Sequence, residues 1–332
     1  MKTGKISENI LKRSVLGQIE KCHNEVIKGA GTGEDCAFLS WENSRFLTAV
    51  STQTIALGVS NAAYLAVMAA ANNLAASGAE PKAVTLAVTL PEGTEEEQLK
   101  ELMRQAKECC RKLNIQIAGG HTEVSPAVRR PVVTATVAGR AGGQSFLQES
   151  GKDAAADMDI VVSKWIGMEG TCTIAREKEA ELCRRFPPDL IALAREQEKY
   201  LSVAPEAATA LKSGVYAMHD VRNGGIFGAL WEISRKLGVG LCADLKQIPV
   251  RQETIEICEF YNLNPYELLS GGTLIMLARD GRQLAERMET EGIAASVIGR
   301  TNGGNDRIIK NGEETRYLEP PSPDEIYKLS FI

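Results

Sequence analysis

Residues 115–124 read "IQIAGGHTEV". An apolar run meets two glycines, Gly119 and Gly120, and then presents an imidazole, a hydroxyl and a carboxylate on His121, Thr122 and Glu123. Glycines at a strand end let backbone N–H groups approach an anion, and neighbouring polar side chains extend that reach. The stretch is expected to be a reactive turn at the end of a buried strand, lining a nucleotide or phosphate pocket.

The surroundings fit a mixed domain. Upstream, "GTEEEQLKEL" opens a helix with Thr94 as N-cap and Glu97 at the capping-box position. Its continuation places Cys109 and Cys110 in phase with Leu102, Ala106 and Leu113, on a face destined for the core. "AVTLAVTL" before it is a strand signal. "NAAYLAVMAAANNLAASG" is apolar almost all round, as a helix buried between layers should be, with Gly78 as C-cap and Pro81 barring continuation. Residues 8–21 read as an amphipathic helix, Ala37–Trp41 and "RFLTAV" as strands, and "RPVVTATVAGR" as another.

Residues 141–157 are small and polar, and the domain boundary is placed there, giving domains 1–150 and 151–332. The second half opens with the strand "MDIVVSKWIG" and is mostly helical to residue 213. "GVYAMHDVRNGGIFGALWEISRKLGVG" then reads as strand, turn and amphipathic helix, with Ile226, Leu230, Ile233 and Leu237 inward. "GGTLIMLAR" and "ASVIGRT" supply further strands, so each half mixes helices with strands.

Composition narrows the function. Of 332 residues, 44% are hydrophobic and 24% charged, the mixture of a folded protein with a real core. A net charge of −5 without any basic block argues against nucleic acid as a partner. No apolar run reaches membrane-span length and the N-terminus lacks a secretory pattern, so a cytoplasmic protein without membrane contact is expected. The eight cysteines include no C-x-x-C pair, which favours packing over metal or redox work.

Two further loops, "GAGTGEDCA" (29–37) and "MHDVRNGGI" (218–226), combine glycine with acids or polar residues beside strands. Neither is a Walker A or dinucleotide fingerprint. Taken in order, "GEDCAFL", "ANNLAASGAEPKAV", "AGGHTEV" and "AMHDVRNGGIFGALWEI" resemble the successive signatures of the AIR synthetase superfamily, typically G-D-D-A-A, N-D-I-A-A-M-G-A-x-P, G-G-[DEH]-[ST] and H-D-x-T-x-G-G-L. The resemblance runs from about residue 4 to about residue 301, and "GKISENILKRSV" is most similar to the HypE-like members, hydrogenase maturation factors.

The resemblance implies a two-domain α+β, PurM-like fold. Its N-terminal mixed β domain would form a barrel with a second subunit, making a homodimer, and its C-terminal domain would be an α+β sandwich. It also implies an ATP site with Mg²⁺. Asp35 and Asp220 match the metal-binding acids, and His121 and Asp220 the catalytic positions. Gly33, Asn72, Asn73, Gly119, Gly120, Thr122, Arg222, Gly224 and Gly225 match the nucleotide loops. The departures are specific. Gln53 and Asn73 stand where family members carry aspartates, His121 where an acid is common, and Arg222 where threonine is usual. An amide brings less charge to Mg²⁺ than a carboxylate, so weaker metal binding is expected, with Arg222 meeting phosphate bidentately in part compensation.

HypE-like members carry a terminal cysteine that accepts a carbamoyl group, whereas no cysteine follows Cys258 in this sequence. The expected function is ATP-dependent phosphoryl activation of another acceptor, a small molecule or a protein. The alternatives are a nucleotide- or metabolite-binding homologue that has lost turnover, and a dimeric scaffold.

Overall fold

The computed structural model describes residues 3–142 and 155–331. The core of the expected boundary segment, 143–154, lies outside them. Chain contacts divide the described residues into two units. One draws on residues 23–29, 35–142 and 330–331; the other on residues 3–22, 30–34 and 155–329.

The first unit is a six-stranded sheet: β1 (Val26–Lys28), β2 (Ala37–Leu39), β3 (Phe46–Ile55), β4 (Ala79–Leu90), β5 (Gln116–Val124) and β6 (Val132–Gly142), in the order β1-β2-β3-β6-β4-β5. Period-two alternation aims Val84, Leu86, Val88 and Leu90 of β4, with Val133, Ala135 and Val137 of β6, into the core. The helix Ala62–Ala76 packs on this face and is buried along all 15 residues, in keeping with a sequence that is apolar on every side but for Asn72 and Asn73. Helix Glu96–Leu113 lies against it and buries Leu102, Ala106, Cys109 and Cys110. Burial pushes the Cys110 thiol up to about 11 and Cys109 higher still, so both behave as small hydrophobes. The opposite face of the sheet is threonine-rich, with Thr52 bonded to Thr136 and Thr54 to Thr134, each at 2.9 Å.

Two sequence expectations change here. The capping box of Glu96–Leu113 sits one residue later than expected, on Glu95 and Gln98. The Thr94 hydroxyl instead turns back and donates to the Pro91 carbonyl at 2.7 Å, and Glu95 supplies the capping side chain. More consequentially, Gly119–Glu123 do not turn. β5 runs through them, parallel to β4 at the edge of the sheet, with Ala87 opposite His121 and Thr89 opposite Glu123. It is an exposed strand rather than a buried one. Gly120 is needed for backbone proximity: a Cβ there would lie 1.9 Å from the Leu86 carbonyl oxygen.

The second unit is a seven-stranded sheet: β7 (Asp159–Ser163), β8 (Ala217–Val221), β9 (Gly240–Asp244), β10 (Thr273–Ala278), β11 (Ala295–Asn302), β12 (Arg307–Asn311) and β13 (Glu314–Tyr317), in the order β13-β12-β9-β11-β7-β10-β8. β8 and β10 are buried throughout and β7 nearly so, hence their continuous apolar sequences. Helix Gly225–Leu237 follows β8 and buries Ile226, Leu230, Ile233 and Leu237, the four positions read from its periodicity. No helix among the described residues is long and apolar enough to cross a membrane.

Candidate nucleotide site

In the sheet of the first unit, the helix-facing side of β3 carries Ser51 and Gln53, one turn of pleat apart. Asn73, on the buried helix, donates from Nδ2 to Ser51 Oγ at 2.9 Å, and Ser51 Oγ donates to the Asp35 carbonyl at 2.9 Å. The amide at 73 thus ties the helix to the acidic loop through a hydroxyl. A carboxylate there could not donate, and the single Ser51 proton cannot serve two acceptors. Asn73→Asp is therefore expected to lower stability by about 1–3 kcal/mol, read from urea unfolding; an unchanged midpoint would contradict this role for the amide. Asn72 is buried beside it. His121, by contrast, has a side chain 72% exposed on the edge strand, with Nε2 3.4 Å from Glu123 Oε2, and Thr122 is exposed too.

The second unit gathers more charge. β8 presents His219 and Asp220, both buried, and ends in the turn Arg222–Gly225. Gly224 and Gly225 hold φ of +78° and +60°, the left-handed region that glycine adopts at low cost, and helix Gly225–Leu237 starts from them. A Cβ on Gly225 would meet the Tyr266 carbonyl at 2.4 Å, and one on Gly33 the Glu232 carbonyl at 2.7 Å, so close packing also requires both glycines. Gly224 and Gly119 have no such crowding.

Arg222 does not offer its Nε–NH2 fork to a ligand. Nε donates to Glu169 Oε2 at 2.9 Å and NH2 to Glu169 Oε1 at 2.7 Å, both residues being buried. The bidentate phosphate contact expected of this fork is made by a carboxylate of the chain itself. Gly271 makes room for it: a Cβ there would lie 2.1 Å from Glu169 Oε2. His219 Nε2 lies 3.2 Å from Glu232 Oε2, and Lys5 pairs with the other oxygen of Glu232. Burial opposes the Glu232 charge, but His219 and Lys5 outweigh it and hold the carboxyl down at about 2.

Sequence reasoning missed a second buried pair. Lys164 Nζ lies 2.5 Å from Glu206 Oε1 and donates to the carbonyls of Tyr200 at 2.8 Å and Ser202 at 2.7 Å. Burial lowers the Lys164 pKa against the pull of Glu206 and Asp220. The signal was present, a lone lysine in the apolar run "VVSKWIG". Asp324 was also missed: its carboxylate accepts from the backbone N–H groups of Gly224 (2.7 Å), Leu269 (3.1 Å) and Ile326 (3.0 Å). Burial, reinforced by Glu169, raises its pKa to about 7 against the opposing pull of those donors.

Asp35 and Asp220 belong to different units. Among the described residues no three His, Cys, Asp or Glu side chains gather as a metal-binding group. The donors are hard carboxylate oxygens, which suit Mg²⁺, but the ion would need phosphate and water oxygens for most of its shell.

Residues 33–141 match the N-terminal domain, and residues 157–310 the C-terminal domain, of the AIR synthase related proteins, and the chain belongs to that family. Its relatives there include a putative hydrogenase expression/formation protein of Methanocaldococcus jannaschii, 24% identical over 98% of this chain and 97% of that one. The carbamoyl dehydratase HypE of Rhodobacter capsulatus is 27% identical over 71% of this chain and 68% of its own. Among solved structures, HypE in the HypE–HypF complex superposes with a TM-score of 0.73 at 21% identity, covering 94% of this chain and 99% of that one. A HypE in complex with ATP gives 0.66 at 18%, covering 98% and 97%.

Proposed function

We propose that this HypE-like chain binds ATP and activates an oxygen or amide group of an acceptor by phosphoryl transfer, the acceptor being a small molecule or a protein. The observation that carries this reading is the turn Arg222–Gly225, whose left-handed glycines open a 13-residue helix inside a chain that matches both family domains. Helix N-termini of this kind favour phosphate through oriented N–H groups. The ATP complex of a structural neighbour supports the choice of nucleotide. Asp220, at the end of the strand that leads into this turn, would hold Mg²⁺ on the phosphate oxygens, and the chain's part would be positioning and charge neutralisation. His121, on its exposed strand, would serve as an acid or base only for an acceptor bound at that edge.

The metal role separates from a purely structural one by mutation. Asp220→Asn should weaken binding of ATP with Mg²⁺ more than binding of ATP alone. Equal weakening with and without the ion would remove the metal from the reading.

A second reading, binding without turnover, is favoured by the occupied Arg222 fork and by the structural use of Asn73. It predicts nucleotide binding with no ADP release at any acceptor concentration. A cytoplasmic homodimer is part of the proposal. The threonine-rich face of the first sheet has Thr52, Thr54, Thr85 and Ala87 exposed, which suits cover by a second copy. Light scattering that finds only a 35.9 kDa species at micromolar concentration would refute the dimer.

A further inference from the structure

The glycine turn is clamped from three directions. The Arg222 side chain is held by Glu169, and the Arg222 carbonyl accepts from Gly225 at 3.1 Å and from Ser270 at 3.2 Å. The third clamp comes from far along the chain. Asp324 lies 100 residues beyond Gly224, yet its Oδ2 accepts the Gly224 N–H at 2.7 Å, while Oδ1 accepts Leu269 N–H at 3.1 Å. One carboxylate therefore joins the turn to the 268–271 loop. The segment that carries it is docked rather than trailing. Ile326 is fully buried, Glu325 Oε2 accepts Asn264 N–H at 2.9 Å, and the Tyr327 ring lies 3.1 Å from where a Cβ on Gly4 would stand.

Gly224 is the N-cap of helix Gly225–Leu237, so its orientation sets the direction of the first free N–H groups of that helix. A glycine in the left-handed region has the widest choice of conformations and needs an external partner to hold one. A buried carboxylate accepting a backbone N–H is the strongest such partner a side chain offers.

We infer that Asp324 is a positioning residue of the glycine turn, and that the segment Asp324–Tyr327 belongs to the nucleotide site. The second half of the statement rests on the nucleotide reading above; the first does not. Asp324 needs no contact with the ligand for this role. It fixes Gly224, and Gly224 presents the helix terminus.

The test compares two anchors of the same segment in the full chain. Asp324→Ala removes the clamp on the turn. Glu325→Ala removes the neighbouring anchor on Asn264 and leaves the turn alone. Amide hydrogen exchange at Gly224 and Leu269 should quicken about tenfold or more in Asp324→Ala. In Glu325→Ala those two amides should stay within about twofold of wild type, whatever the loss in melting temperature. Asp324→Asn, which keeps one acceptor oxygen, should restore part of the protection. Affinity for ATP with Mg²⁺ should fall in step with exchange at Gly224, about tenfold in Asp324→Ala and less than twofold in Glu325→Ala.

Unchanged exchange at Gly224 in Asp324→Ala, or equal effects of the two alanines on the turn, would overturn the positioning role. Faster exchange with unaltered ATP affinity would overturn the assignment of the segment to the site. If the wild-type chain binds no nucleotide, the nucleotide reading fails, and the exchange data still decide whether Asp324 positions the turn.

Discussion

Glu169→Ala is expected to lower the unfolding free energy by about 3–5 kcal/mol, among the largest single-site losses in the chain. Arg222 is only 8% exposed and gives two of its donors to Glu169 at 2.7 and 2.9 Å. Without the carboxylate, a guanidinium that cannot lose its proton stays buried opposite a cavity. The cost comes from the stranded charge more than from the lost attraction. Removing both charges with Glu169→Leu and Arg222→Met together should therefore recover most of the loss. The size of the recovery, measured by urea unfolding at neutral pH, is the diagnostic. A double variant as unstable as Glu169→Ala would mean that the pair contributes through packing rather than charge.

Lys164→Met is expected to cost a similar amount, about 3–5 kcal/mol, but to respond differently to a second change. Glu206 would be left buried without its cation, and the carbonyls of Tyr200 and Ser202 would each lose a donor. Adding Glu206→Gln removes the stranded charge and leaves both carbonyls unsatisfied. Recovery should thus be partial, with about 1–3 kcal/mol remaining for the buried acceptors. Full recovery would show that water replaces the ammonium at those carbonyls. Asp220 adds to the contrast, since Lys164 lies close enough to feel its charge.

The elements easiest to read were those with a long, clean period. "AVTLAVTL" falls in β4, "RPVVTATVAGR" overlaps β6, and the largely apolar run 61–76 contains a helix buried on every side. β1, β9, β12 and β13 escaped because these strands of three to five residues carry glycine, charge or amide residues in place of a continuous apolar run, unlike the equally short β7. "IQIAGGHTEV" misled for another reason. Consecutive glycines signal a turn in isolation, yet here Gly120 lets an edge strand approach Leu86, and strand pairing is not encoded locally.

Site positions were legible as residue types more than as contacts. Asp220, Gly224 and Gly225 fall on one strand and turn, as the motif implied. That Arg222 turns inward to Glu169 follows from Gly271 lacking a side chain, a relation spanning a hundred residues. Asp324 in "PSPDEIYK" has the look of an ordinary helix cap, and it does receive the Ile326 N–H in that way. Its reach to Gly224 depends on the path of the whole second unit.

The central claim is that this chain binds ATP through its glycine turn. Isothermal calorimetry of the wild-type chain against ATP, with and without Mg²⁺, tests it most directly. Weak saturable binding is expected, only modestly strengthened by Mg²⁺ because no three acids gather as a metal-binding group among the described residues, and accompanied by a rise in melting temperature. No heat and no stabilisation at millimolar ATP, in either the presence or the absence of Mg²⁺, would contradict it.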